Sequence, residues 1–329
     1  MKQGFPSIPR FDAEAFRAWC KNTAHPWFGR YCAMYSSWFG GIATDPHLML
    51  IPVDDHMVHR GDGLFETMRC DDGAVYRLDA HFDRLFAGAE RVRMPIPWSR
   101  AEMTDIMRQV LAAGGKRDAL IRLFVSRGPG GHTANPAECE GPQLWILAIR
   151  RGPNFMDAHP EGARVVPSGI PAKSGFFPRV KSVNYLPNAL MFMEASAAGA
   201  DFALGFDAEG FMAELPTENA GIVTRDGVLC VPRPEHVLRG TTMARALELA
   251  REELVPAGVL RGVEERDVAR AEVDAAAELL VFGTTPIVTA GVEWDGRPVG
   301  AGRPGPVWRA LHAAMRRDMR DPARLTALA

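Results

Sequence analysis

Lysine is scarce in this 329-residue chain. Lys2, Lys21, Lys116, Lys173 and Lys181 are the only five among its 38 basic residues, and arginine supplies the other 33. Arginine stays protonated and cannot form a Schiff base, so any amine chemistry must come from those five. Cysteine is also thin. Cys20, Cys32, Cys70, Cys139 and Cys230 are odd in number and widely spaced, with no CxxC. That excludes a disulfide framework and a cysteine zinc site, and it predicts free thiols in a reducing cytoplasm. Excess charge is missing as well. A net charge of −2 leaves nucleic-acid binding without electrostatic support. No apolar run approaches the roughly 20 residues of a membrane span. The opening Met1-Lys2-Gln3-Gly4-Phe5-Pro6 lacks the apolar core of a signal peptide. The expectation is a cytoplasmic protein with no membrane partner.

What is present fits an ordinary globular chain, 47% hydrophobic and 24% charged. Its length predicts two domains. Residues 1–35 read as an arm with a helix from Asp12 to Cys20, residues 36–155 as a first domain, and residues 156–329 as a second. The polar, proline-containing stretch 151–160 marks the boundary. In the first domain, 36–52 reads as a hairpin with strands at 39–42 and 48–51, turning near Asp45-Pro46. A strand at 74–78 leads into a helix capped by Asp79 and carrying His81 and Arg84 on one face. Residues 102–113 form an amphipathic helix, and 119–126 and 143–150 form strands. His56 and His59 are three apart, but nothing near them supplies further ligands, so no metal is expected. The loop Arg127-Gly128-Pro129-Gly130-Gly131-His132 is not a P-loop, because no Lys-Ser/Thr follows it.

The second domain holds the most informative stretch, Val180-Lys181-Ser182-Val183-Asn184-Tyr185-Leu186-Pro187-Asn188. Lys181 lies between an apolar extended run and a helix over 189–199 that reads as buried. On the stretch alone, a buried nucleophilic amine and a solvated surface lysine are both open. Further on, Glu214 ends an apolar strand and needs a partner if buried. Leu238-Arg239-Gly240-Thr241-Thr242 opens a helix, and Gly283-Thr284-Thr285 follows an apolar strand. Glycine with two threonines at a helix start offers free N–H groups, a positive dipole end and hydroxyl donors, which suits an anion. A plain threonine cap is the other reading. Arg84, read locally, is a solvated helix arginine, although its planar fork also suits a phosphate.

Together these give an amine nucleophile, a carboxylate behind an apolar strand, a helix arginine and two Gly-Thr-Thr groups. A pyridoxal phosphate site asks for that set: an amine to form the imine and move the Cα proton, a carboxylate to keep the pyridine nitrogen protonated, and donors for the phosphate.

At these residues the chain resembles the class IV, fold-type IV, pyridoxal-phosphate enzymes: D-amino-acid aminotransferases, branched-chain aminotransferases and 4-amino-4-deoxychorismate lyases. Seven motifs carry the resemblance, in the family's order. They are Arg60 to Glu66, His81 to Leu85, Lys181 to Leu186, Gly210 to Glu214 with Glu218-Asn219, Leu238 to Thr242, Phe282 to Thr285, and Val299-Gly300 with Gly305 to Val307. The resemblance implies an α+β fold with a small N-terminal α/β domain and a larger, β-barrel-like C-terminal domain. It also implies pyridoxal 5'-phosphate at their interface and a homodimer that completes the substrate pocket. Lys181 becomes the Schiff-base lysine, Glu214 the partner of the pyridine nitrogen, and Arg84 the phosphate arginine. Thr241, Thr242, Thr284 and Thr285 fall on phosphate-binding positions, and Tyr185 lies near the tyrosine of the ring hydroxyl.

The implied activity is transamination between an α-amino acid and a 2-oxo acid by a ping-pong mechanism. The stretches 57–61 and 180–190 look most like D-amino-acid transaminases. A branched-chain L-aminotransferase and an aminodeoxychorismate lyase are the alternatives. Bacterial D-amino-acid enzymes carry an Arg-x-His carboxylate trap where this chain reads Arg127 to Ala134 without that arginine. Arg60, where relatives often have Phe or Tyr, and Phe65 beside it are therefore the candidate substrate-binding residues.

Overall fold

The computed structural model describes residues 8–329. Six strands of the first half are β1 (Tyr31–Ser36), β2 (Gly41–Ala43), β3 (Gly63–Asp71), β4 (Ala74–Tyr76), β5 (Ala119–Ser126) and β6 (Gln143–Arg150). They pair antiparallel, with β3 and β5 in unbroken register from Gly63 opposite Ser126 to Cys70 opposite Ala119. Four helices accompany them: α1 (Ala13–Asn22), α2 (His56–Arg60), α3 (Leu78–Arg91) and α4 (Arg100–Gly114). Strand side chains alternate between faces, and that alternation places the site. Leu64 and Met68 of β3, with Ile121, Leu123 and Val125 of β5, pack under Phe82 and Leu85 of α3 and Met103 and Met107 of α4. Glu66 shares that face. Phe65, Thr67, Arg122 and Phe124 look the other way, toward the second half of the chain.

That second half builds an eight-stranded sheet from β7 (Ala163–Pro167), β8 (Phe202–Leu204), β9 (Asn219–Val223), β10 (Val228–Val231), β11 (Gly262–Glu265), β12 (Glu278–Gly283), β13 (Ile287–Trp294) and β14 (Arg297–Pro298). The order is β11-β10-β9-β12-β13-β7-β8, with β14 paired to β13. Its helices are α5 (Phe155–Ala158), α6 (Leu186–Ala197), α7 (Thr241–Leu249), α8 (Arg270–Asp274) and α9 (Pro306–Asp318). Met243 and Leu247 of α7 and Leu311 and Met315 of α9 close a core over Leu229, Val231, Leu280 and Val288. A last strand, β15 (Leu325–Ala327), leaves this half and pairs with β4 at the edge of the first sheet. The sequence reading kept all of 156–329 together and did not anticipate that return.

Three further expectations are corrected. The hairpin in 36–52 is shorter and earlier, with β1 and β2 closing through Gly40 at φ +63. Asp45 accepts from the His47 N–H and starts a short 3-10 helix, Pro46–Leu48, so no strand forms over 48–51. Asp79 does not cap α3. The chain enters that helix through Arg77 in the left-handed region, φ 50, and Asp79 falls in the first turn. Finally, α6 begins at Leu186 with Pro187 in its first turn, and it is not a buried helix. Only Met191 and Ala195, one turn apart, are buried; Leu186, Phe192 and Met193 are 72%, 63% and 64% exposed.

Candidate active site

Lys181 sits where the two halves touch. Ser182 bridges antiparallel to Leu64, the Phe65 N–H donates to the Lys181 carbonyl at 3.0 Å, and the Val183 N–H donates to the Gly63 carbonyl at 3.0 Å. Asn184 reinforces the contact by donating to the Gly61 carbonyl at 2.9 Å. Gly61 is required there twice over: its φ is +66, and a Cβ would come within 2.2 Å of the Asn184 oxygen. The Lys181 backbone is thus stitched to β3 while its side chain points into the space between the sheets. Nζ stands 3.5 Å from the Tyr185 hydroxyl and 4.6 Å from the Phe65 ring centroid. Burial, with the Arg84 charge near by, pulls the pKa of its ammonium down to about 8. An amine near that value is part neutral at physiological pH, as a nucleophile or base must be.

Two cavities meet at this amine. One encloses about 590 Å³ of empty space, partly open to solvent, and has Arg84, Lys181, Tyr185, Glu214, Thr241 and Thr242 on its walls. The other encloses about 870 Å³ and has Phe65, Thr67, Arg122, Phe124 and Thr285. Lys181, Tyr185 and Thr284 line both.

In the first cavity, Glu214 accepts from the Leu238 N–H at 3.0 Å and the Asn219 amide at 3.1 Å, both through Oε1. Among the described residues nothing donates to Oε2. Burial pushes this carboxyl up to about 7, against the pull of the Leu238 N–H. It is a carboxylate lacking a cationic partner. Arg84 is held fork to fork by Glu66, at 2.8 and 2.6 Å, and its Nη1 reaches the Arg239 carbonyl at 3.3 Å. His81 meets the same Glu66 at 2.7 Å and the Thr241 hydroxyl at 3.4 Å, which ties β3, α3 and α7 into one chain of contacts. The start of α7 has no side-chain cap, so its first N–H groups remain available. Gly240 there has an ordinary φ of −63; it is needed for space, because a Cβ would lie 2.0 Å from the Asn219 oxygen. The opposite wall, Gly283 to Pro286, ends at Ile287 with φ 60, a strained value for a β-branched residue.

These features suit pyridoxal phosphate on three counts. An uncapped helix start with hydroxyls and an arginine suits a phosphate. A buried carboxyl with a free oxygen suits a basic ring nitrogen, and an amine near neutrality suits an aldehyde.

The structure brings together Lys181, Tyr185, Glu214, Arg84, Thr241, Thr242 and Thr284 around the first cavity, and Phe65 and Thr285 at the second. It does not bring Arg60 in. Arg60 is exposed, outside both cavities, and donates to the carbonyls of His59 at 2.9 Å, Thr133 at 3.1 Å and His132. Sequence reasoning missed Arg122, whose outward place on β5 follows from period two once Phe65 is set facing the cavity. It also passed over Lys173, which lines the first cavity and was visible only as one of five lysines.

Two sheets meeting at an amine, with a carboxyl on one side of it and an anion cradle on the other, define a pyridoxal-phosphate-dependent enzyme of fold type IV. The family model for Amino-transferase class IV matches residues 63–294. The chain is 40% identical over 293 residues to a chloroplastic D-amino-acid transaminase of Arabidopsis thaliana, covering 89% of this chain and 78% of that one. It is 33% identical over 262 residues to a putative branched-chain-amino-acid aminotransferase of Methanocaldococcus jannaschii, covering 79% and 88%. Among solved structures, the T.th. branched-chain amino acid aminotransferase with pyridoxamine 5'-phosphate superposes with a TM-score of 0.82 at 27% identity, over 91% of this chain and 99% of that one. The chain belongs to the class IV aminotransferases and is a pyridoxal-phosphate-dependent transaminase. Among the described residues no helix is long and apolar enough to cross a membrane.

Proposed function

We propose that this transaminase moves amino groups between a D-amino acid and a 2-oxo acid in a ping-pong cycle. The observation that carries the catalytic part is Lys181 on the wall shared by both cavities, which puts one amine within reach of cofactor and substrate. The substrate hand rests on the 40% identity to a protein named as a D-amino-acid transaminase. A branched-chain L-amino-acid reading is the alternative, favoured by the fold match to the T.th. enzyme.

When bound, pyridoxal phosphate supplies an aldehyde that amines capture and a ring that takes up electrons as the Cα–H bond breaks. Arg84, Thr241, Thr242, Thr284 and the α7 N–H groups hold its phosphate. Glu214 would hold a proton at the ring nitrogen, and Tyr185 would orient the ring hydroxyl. Lys181 would supply the amine that captures the aldehyde and the base that accepts the proton from Cα. Phe65 and Arg122 form the substrate wall, with Arg122 as the cation for a carboxylate, while Arg60 steadies the 127–133 loop. The chain divides near residue 155 into a small and a larger domain, works as a homodimer and resides in the cytoplasm.

The test is the visible spectrum of the holoenzyme with D-alanine, L-alanine or L-leucine added separately. D-alanine is expected to bleach the band of the resting enzyme. A response to L-leucine alone sinks the D-amino-acid reading in favour of the branched-chain one. In the same assay R122A is expected to need at least about tenfold more amino acid and R60A to need little more; the reverse order restores Arg60 to the substrate.

A further inference from the structure

The cofactor cavity contains a second amine. Lys173 comes from the loop after β7, is half-buried, and its Nζ lies 4.8 Å from the centroid of the Tyr185 ring. The ring of Tyr185 therefore has an ammonium on it from Lys173 and the amine of Lys181 at 6.0 Å. Among the described residues Lys173 makes no ion pair and no hydrogen bond.

The charged groups around it come from every element that walls the cavity. Glu214 and Glu218 stand on the segment between β8 and β9, Lys181 on the stretch before α6, and Arg84 on α3 with Glu66 of β3 behind it. Arg84 is neutralised by Glu66, and Glu218 is occupied by the Thr217 N–H at 3.1 Å and the Thr217 hydroxyl. Neither Glu214 nor Glu218 has a cation in ion-pair reach, but only Glu214 keeps an oxygen, Oε2, to which nothing among the described residues donates. Burial pulls the Lys173 ammonium below its ordinary value, and Glu214 pulls it back. Reciprocally, after burial and the Leu238 N–H, the Lys173 charge is the next influence on Glu214, and it favours the carboxylate. Asn188 on the same wall donates to the Pro216 carbonyl at 2.6 Å while its buried Oδ1 has no donor. This end of the cavity thus holds an unbonded ammonium and an orphan amide oxygen beside the acid.

We propose that Lys173 is a positioning residue: an ammonium seated on Tyr185 that sets, by its field, how tightly the Glu214 end of the site holds a proton. It favours the carboxylate form of Glu214 in the empty site, and it lowers the proton affinity of the Glu214–nitrogen pair once the site is filled. Its charge does this, not its bulk. This inference rests on Glu214 being the ring-nitrogen partner.

The test uses holoenzyme loaded with pyridoxal phosphate carrying nitrogen-15 in the ring, titrated by NMR as wild type, K173M and K173R. Removing a positive charge beside a protonation site raises its proton affinity. K173M is expected to raise the pH at which the ring nitrogen loses its proton by about one unit, a tenfold change, and K173R to stay with the wild type. If the nitrogen stays protonated throughout, the comparison moves to the Glu214 carboxyl carbon in cofactor-free protein. There the wild-type midpoint is expected near about 7, and K173M should raise it by the same amount. An unshifted K173M, or a K173R that moves as far as K173M, overturns the proposal. A wild-type ring nitrogen that is never protonated overturns the role of Glu214 itself, and a protein that takes up no pyridoxal phosphate overturns the functional reading.

Discussion

Glu66 and Glu214 are both carboxylates withdrawn from water, yet they titrate in opposite directions. Burial alone would raise each. At Glu66 the Arg84 charge and hydrogen bonds, joined by His81, overcome burial and hold the carboxyl at about 2, below its ordinary 4.5. At Glu214 no cation is close enough, and the carboxyl rises to about 7. The signs follow by linkage. Glu66 contributes stability that is whole above pH 4.5 and is lost as pH falls toward 2, an amount of roughly 3 kcal/mol. E66Q is therefore expected to unfold more easily than wild type in urea at neutral pH, with the gap closing below about pH 4 as the wild-type carboxyl protonates. A gap independent of pH would sink this account of the Arg84 fork. Glu214 works the other way in cofactor-free protein: between 4.5 and about 7 the folded chain keeps a proton that the unfolded chain has released, so stability falls as pH rises. A cationic ring nitrogen beside Oε2, in the role proposed for Glu214, would reverse that cost and so link cofactor binding to folding.

At the scale of the element, the start of α7 matters most. Gly240 lets Asn219 come close, and Asn219 in turn donates to Glu214 at 3.1 Å and to the Leu238 carbonyl at 2.8 Å. An alanine at 240 has to push Asn219 away and so disturbs both the phosphate and the nitrogen ends of the cavity. G240A is expected to bind pyridoxal phosphate at least about tenfold more weakly in a fluorescence titration, while losing only about 1–3 kcal/mol of stability. Unchanged affinity would show that Asn219 carries no positioning role. Elements of this kind were largely readable beforehand. Strands β5 and β6 fall where the apolar alternation put them, and the amphipathic run 102–113 lies within α4, which starts two residues earlier behind a Ser99–Glu102 capping box that the pattern of apolar residues does not show. The residues around the cofactor cavity were proposed from the family resemblance: Thr241 and Thr242 open α7 and Thr284 follows β12, whereas Arg84 lies inside α3 and its local pattern alone reads as a solvated helix arginine. What failed was what local pattern does not encode. The apolar run of α6 reads as buried, but burial depends on what packs against it, and this chain covers one stripe only. Arg60 reads as a substrate cation because it is charged and near the motif; its guanidinium instead finds the carbonyls of a loop some 70 residues further on.

For the whole molecule the least legible fact is that the chain closes on itself. Nothing in three residues, Leu325–Ala327, says which edge they will join. They pair with β4, and the neighbouring Leu328 is 1% exposed, in the core of the first sheet. The Leu328 N–H donates to the Gly73 carbonyl at 2.7 Å, and the Arg77 N–H that leads into α3 donates to the Arg324 carbonyl at 2.8 Å. The entry to the helix that carries His81 and Arg84 is thus fastened by the tail. Deleting residues 325–329 removes the pairing with β4, the Leu328–Gly73 bond and the Leu328 side chain together, and it leaves the Arg324 carbonyl at a free chain end. The expected loss is about 2–5 kcal/mol with a lowered melting temperature, measured calorimetrically with and without pyridoxal phosphate. A variant that melts with the wild type would show the tail to be decorative.

Because the edge beside β4 is sealed by the tail, the first sheet cannot be finished when its own strands are made. During synthesis that edge stays open until residues 325–328 clear the ribosomal exit tunnel, after the entire second half has been translated. A nascent chain stalled before that point would present the bare backbone of β4 to its neighbours on the polysome.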